Sequence, residues 1–148
     1  MKSGLISSGR RAFTLAEVVV SLAIATTVMA GIIVGYTVAT RRALYSAYSA
    51  AAQAMATSRL EQTLARRWLP EYGIDQLDVT NFRAGTPWET NYLALPVRQT
   101  NLVSATNYVE VRDIGSNPPL KMIRVDCAWS FQNKVYTNTV ATMRAPSL

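Results

Sequence analysis

The sequence predicts an α+β protein: a long N-terminal helix with a small antiparallel β-sheet packed on its C-terminal half. Three observations carry this. Residues 18–40 form an apolar run with no charge and no proline. The next stretch, "RRALYSAYSAAAQAMATSRLEQTLARRWL", keeps helical composition without a Gly or Pro. Near the end, "KMIRVDCAWSF" alternates apolar and polar residues with a period of two.

The elements follow in chain order. Residues 1–12, "MKSGLISSGRRA", are basic, small-residue rich and without an apolar period, so they read as a leader. The 23 residues of 18–40 would span about 35 Å as a helix, enough to cross a bilayer. Lipid favours a helix there despite the β-branched residues, because every backbone group must be satisfied internally. Gly31 and Gly35 share one face of it and allow close helix approach. Residues 41–69 are amphipathic: Leu60, Leu64 and Trp68 recur at four-residue steps, beside Ala52, Met55 and Ala56. Pro70 and Gly73 stop the helix, which is expected near 14–68, with Thr14 as its cap.

Residues 70–148 are expected to form a small β-rich domain. "NYLALPV" and "TNYVEVRDI" read as strands, and "GSNPP" as a turn. Ile123, Val125, Cys127, Trp129 and Phe131 should share the inner face of a strand. "QNK" turns it into "VYTNTVATM", completing an antiparallel hairpin with one face on the helix.

Composition excludes several functions. The net charge is +6, but Lys2, Arg10 and Arg11 supply three of those charges, so a product lacking them would carry +3. No basic cluster alternates with aromatics, which leaves no case for nucleic acid. There is no histidine and a single cysteine, Cys127, so no intrachain disulfide forms and the commonest acid–base residue is missing. Asp75, Asp78 and Glu71 fit no calcium-loop spacing and read as a solvated loop face. Glu110, Arg112 and Asp113 read as a polar strand face. No catalytic set emerges, so neither an enzyme, a metal nor a cofactor is expected.

The unusual residue is Glu17, one carboxylate at the start of an apolar run. A secretory signal peptide would have a shorter apolar stretch and a cleavage site beyond it. A plain membrane anchor leaves Glu17 unexplained. The local order "RRAFTLAEVVVSLAI" resembles the N-terminal motif of type IV pilins and type II secretion pseudopilins. In that family a basic leader precedes a small residue, a phenylalanine opens the mature chain, and a glutamate is its fifth residue. Here these features fall on Arg10 and Arg11, Ala12, Phe13 and Glu17. The family usually has glycine where this chain has Ala12, and a larger aliphatic where it has Ala16.

The resemblance implies cleavage between Ala12 and Phe13 by a prepilin peptidase/methyltransferase, with methylation of the new amine. It implies a helix held in the bacterial inner membrane, N-terminus cytoplasmic and C-terminal domain periplasmic, then moved into a filament. The charges flanking the run, Lys2, Arg10 and Arg11 against Arg41 and Arg42, lean the same way. In such proteins Glu17 would pair with the amine of an adjacent subunit. The closing pattern "IRVDCAW…YTNTVATMR" looks like the hairpin of minor subunits, the I-type pseudopilins or V-type pilus modification proteins. The implied partners are other minor and major pilins or pseudopilins, an inner-membrane assembly platform and the lipid bilayer. The reading from another class is a single-pass or secreted binding protein with a small β domain.

Overall fold

A computed structural model describes residues 14–93 and 102–146. The chain divides into two compact units, residues 1–42 and 43–148. One α-helix, α1 (Leu15–Leu64), contributes to both. The expected strand "NYLALPV" lies partly outside the described residues, and the expected leader, residues 1–12, lies wholly outside them.

In the second unit a four-stranded antiparallel sheet has the order β3–β4–β5–β6. Its strands are β3 (Pro87–Tyr92), β4 (Ser104–Ser116), β5 (Pro119–Phe131) and β6 (Lys134–Arg144). Two short strands, β1 (Trp68–Leu69) and β2 (Ile74–Asp75), pair separately around a single 3-10 turn at Pro70–Tyr72. Strand β4 is longer than its sequence signal. It runs through Asp113 with a register shift before Gly115, and only Asn117 and Pro118 separate it from β5. A Cβ on Gly115 would meet the Pro118 carbonyl at 3.1 Å, so a larger residue fits this tight return only if that carbonyl gives way by a few tenths of an ångström. Gln132 and Asn133 both adopt positive φ, 49° and 62°, and close the β5–β6 hairpin in two residues. That backbone twist suits a two-residue hairpin.

The alternation on β5 has the expected phase. Ile123, Val125 and Cys127 are fully buried and Trp129 nearly so, while Phe131 is half-buried. Each aliphatic buried this way contributes about 1.5–3 kcal/mol. Ala105, Val109 and Val111 of β4 extend the inner face. Against it lie Tyr48, Ala52, Ala56 and Thr63 of α1. The two alanines are wholly buried, so helix backbone and sheet approach closely there. Tyr45 and Tyr48 close one end of the core, with ring centroids 5.0–6.1 Å from Trp129, Phe131 and Tyr136. Trp129 Nε1 donates to Asn138 Oδ1 at 2.8 Å, and Asn138 Nδ2 donates to Ser49 O and Gln53 Oε1 at 3.3 and 3.2 Å. This polar chain fixes where β6 meets the helix.

The helix stops four residues before the expected end at Trp68. Its last carbonyls are taken by Arg144 from the end of β6, whose Nη1 donates to Leu64 O and Arg66 O. Gln76 Oε1 accepts from Arg67 N at 2.9 Å. With these partners the chain leaves the helix without a glycine cap. Trp68 still reaches the core, at 4% exposure, but from β1.

Lys121 occupies an inward position on β5 that sequence alternation had given to no residue. Its side chain is 5% exposed and its ammonium lies 5.1 Å from the Trp68 ring centre. It pairs with Asp75 and donates to Leu77 O at 2.9 Å, tying the β1–β2 segment to the sheet. Asp75 Oδ1 also accepts from Leu77 N, and Asp78 Oδ1 from Thr80 N and Oγ1. Asp75 and Asp78 therefore order turns. The hydrogen bonds from Thr80, first its hydroxyl and then its amide, hold the Asp78 carboxyl below its ordinary pKa. Arg112 donates to Glu110 on the outer face of the sheet, as a polar face requires.

Two outcomes follow. Lys121→Met should lower the unfolding free energy of the full chain in detergent by about 2–3 kcal/mol, read by urea denaturation, because Asp75 and the Leu77 carbonyl lose their cation. Burial pushes the Cys127 thiol up to about 11, from 9.0. Between those values the unfolded chain sheds a proton that the folded chain keeps, so stability should fall as pH rises through that window. Denaturation midpoints at pH 8 and pH 10.5 would measure it; a midpoint independent of pH in Cys127→Ala identifies the thiol as the cause.

Candidate functional site

The site is the N-terminal part of α1. Thr14 stands just before the helix and Glu17 is its third residue. Glu17 N donates to Thr14 Oγ1 at 3.3 Å, while Glu17 Oε2 accepts from Thr14 N at 3.1 Å and from Thr14 Oγ1 at 3.2 Å. This is a reciprocal capping box, which satisfies two amides that the helix itself cannot. A negative charge in the first turn also complements the helix dipole. The signature T-x-x-E was legible in the sequence. Thr14 was expected to cap; the return bond from Glu17 was not anticipated.

Beyond the cap, the helix is apolar on every side. An 18-residue window has a mean hydropathy of 2.4, and none of it is buried within the protein. Val18, Leu22, Ile24, Met29, Ile32 and Ile33 are all more than half exposed. A helix greasy all round belongs in a bilayer or among other helices. Three of its hydroxyls bond within the helix: Thr27 Oγ1 donates to Ala23 O, as does Thr26 Oγ1, and Thr37 Oγ1 donates to Val34 O, at 2.8–2.9 Å. Thr27 bonds back to i−4, and Thr26 and Thr37 to i−3. Nothing lies within 4 Å of a Cβ placed on Gly31 or Gly35. Their face is open within the chain.

Against this geometry, the model of the prokaryotic N-terminal methylation motif matches residues 7–33. The chain carries that motif. It is characteristic of type IV pilins and pseudopilins, which are structural, non-catalytic proteins. The methylation motif implies processing by a prepilin peptidase/methyltransferase system. The match covers residues 7–12, the capping box and residues 18–33 of the apolar run. Arg10, Arg11, Ala12 and Phe13 fall inside it and outside the described residues. No curated protein and no solved structure matches the chain. The single long apolar helix at the motif is consistent with a membrane anchor. Among the described residues, no group of three or more His, Cys, Asp or Glu side chains is placed to hold a metal ion.

The capping box should be measurable. Thr14→Ala is expected to cost about 1 kcal/mol of local helix stability. Amide exchange over residues 15–18, in micelles, should accelerate about fivefold, while the β5–β6 amides keep their protection.

Proposed function

We propose that this chain is a minor structural subunit of a type II secretion pseudopilus or a type IV pilus. It is inserted in the bacterial inner membrane through the helix of residues 13–40, with the domain of residues 70–148 on the periplasmic side. Prepilin peptidase removes residues 1–12, and the amine of Phe13 is methylated. The subunit then joins major and minor partners at an inner-membrane assembly platform. The observation that carries this reading is the methylation motif at 7–33, on a helix whose apolar window has no cover among the described residues.

Glu17 gives the reading its physical sense. A carboxylate near hydrocarbon costs several kcal/mol unless it is paired or drawn to the interface. Both of its capping bonds use Oε2, leaving Oε1 without a partner among the described residues. The amine of Phe13 in an adjacent subunit would meet that oxygen and set the axial register, and such a pairing is worth most where water is scarce. Gly31 and Gly35 would let neighbouring helices approach closely. The minor role is supported by the small domain and by the likeness of its closing hairpin to those of minor subunits.

Mass spectrometry of the native protein tests this. The expected mature chain begins at a methylated Phe13, and in the same strain Glu17→Ala and Glu17→Gln should both reduce filament incorporation at least about tenfold, the loss of one paired charge. An intact chain beginning at Met1 would leave a simple anchor. A chain beginning after residue 40 would indicate an ordinary secretory signal. Normal incorporation of both Glu17 variants would remove the register role.

A further inference from the structure

The four-stranded sheet has two edges, and they differ. Strand β3 is defended as edge strands usually are: it opens on Pro87, shifts register between Pro87 and Glu89, and carries the Glu89 charge. Strand β6 has none of these defences. It runs for 11 residues, with no proline and no charge between Lys134 and Arg144. Its register with β5 is unbroken from Phe131–Lys134 to Lys121–Arg144. That register fixes which backbone groups are left over. A two-residue loop with positive φ at Gln132 and Asn133 closes on a hydrogen-bonded pair, here Phe131 and Lys134. Bonded and non-bonded pairs then alternate, so Tyr136, Asn138, Val140 and Thr142 bond to β5. Val135, Thr137, Thr139, Ala141 and Met143 aim their amides and carbonyls out of the sheet. Among the described residues no other backbone segment takes them. All five are exposed and uncharged.

We propose that the free edge of β6 is a pairing site for an extended segment of a different polypeptide, added to the sheet as a further strand. The chemistry of the edge names the occupant. Donors and acceptors alternating along one line are matched together only by another extended backbone. Water solvates each group singly, but it leaves an undefended edge of this length as a template for pairing, which proteins otherwise block. On the α1 side the occupant would lie beside Tyr136 and Val140, half-buried at the margin of the core. Tyr45 is there too, 39% exposed, with its ring centre 5.0 Å from that of Tyr136. The occupant is therefore apolar on that face and uncharged on the other. Lys134 makes no ion pair among the described residues, so an acidic residue opposite it completes the segment. A second copy of β6 fits poorly. Antiparallel self-pairing centred on Thr139 sets Lys134 against Arg144 at both ends, and like charges directly opposite destabilise a sheet. Any other centre leaves part of the edge unpaired. The inference rests on the sheet alone and not on the filament reading.

The probe is the peptide Thr-Val-Thr-Val-Thr-Val-Thr-Val-Thr-Asp, with its valines N-methylated so that it cannot polymerise along its far edge. It is titrated into the full, isotope-labelled chain in detergent micelles, and amide hydrogen exchange is read along β6. At about nine-tenths saturation the amides of Val135, Thr137, Thr139 and Ala141 should exchange about tenfold more slowly. Thr137→Pro and Ala141→Pro each remove one outward donor and leave the β5 ladder intact, so affinity should fall at least about tenfold in either. Should a proline variant not fold, the same peptide N-methylated at every residue decides on the unaltered chain. It keeps the side chains, has no amide to donate, and should protect nothing. The proposal is overturned if the first peptide gives no saturable protection, or if the fully methylated peptide or the proline variants give as much. It is equally overturned if these amides are already protected without peptide, whether by a dimer or by the chain itself.

Discussion

A helix with apolar side chains on every face has no stable place in water. That constraint governs the N-terminal part of this protein. At about 25 cal/mol for each Å² of apolar surface, leaving such a segment hydrated is untenable, and among the described residues it has no cover. Lipid or other helices must supply the cover. The backbone amides of the segment bond inside the helix, and the hydroxyls of Thr26, Thr27 and Thr37 return to it. The carboxylate of Glu17 sits at its start, where its capping bonds through Oε2 tie it to the first turn.

The second unit solves the opposite problem. It has few residues from which to build a core, and uses one strand, β5, as its spine. Fully buried Ile123, Val125 and Cys127 face a helix stripe in which alanine permits close approach. The margins of that small core are held by polar contacts. Lys121 secures the β1–β2 segment, Asn138 positions β6 on the helix, and Arg144 closes the helix end. Each joins segments far apart in the chain, so each acts only once the sheet is formed. Their value lies in fixing one arrangement as much as in adding stability, since buried charges and amides tolerate no unsatisfied alternative.

Much of this was legible in the residues. The alternation of 123–131 gave the inner face of β5, the tight turn gave the hairpin, and Thr14 before an apolar run gave the helix start. Three things were not legible. Trp68 lies four residues after Leu64 and so mimics a helical stripe, yet its place is in a strand because Arg144 takes the preceding carbonyls. Lys121 was given no place, since nothing local announces a buried ammonium. Asn107 is one of several polar residues in β4, and only the packing of α1 against the sheet buries it.

By itself, then, the sequence determined what depends on near neighbours along the chain: the helix and its cap, the lipid-like character of residues 18–40, the methylation motif and the phase of the last hairpin. These are properties of periodicity and composition, repeated over many residues. The tertiary structure decided where the helix ends, which ammonium is buried, and where β6 meets the helix. Those outcomes rest on single contacts between residues 40 to 90 positions apart. No local pattern encodes such contacts, because the partner exists only after the chain has closed on itself.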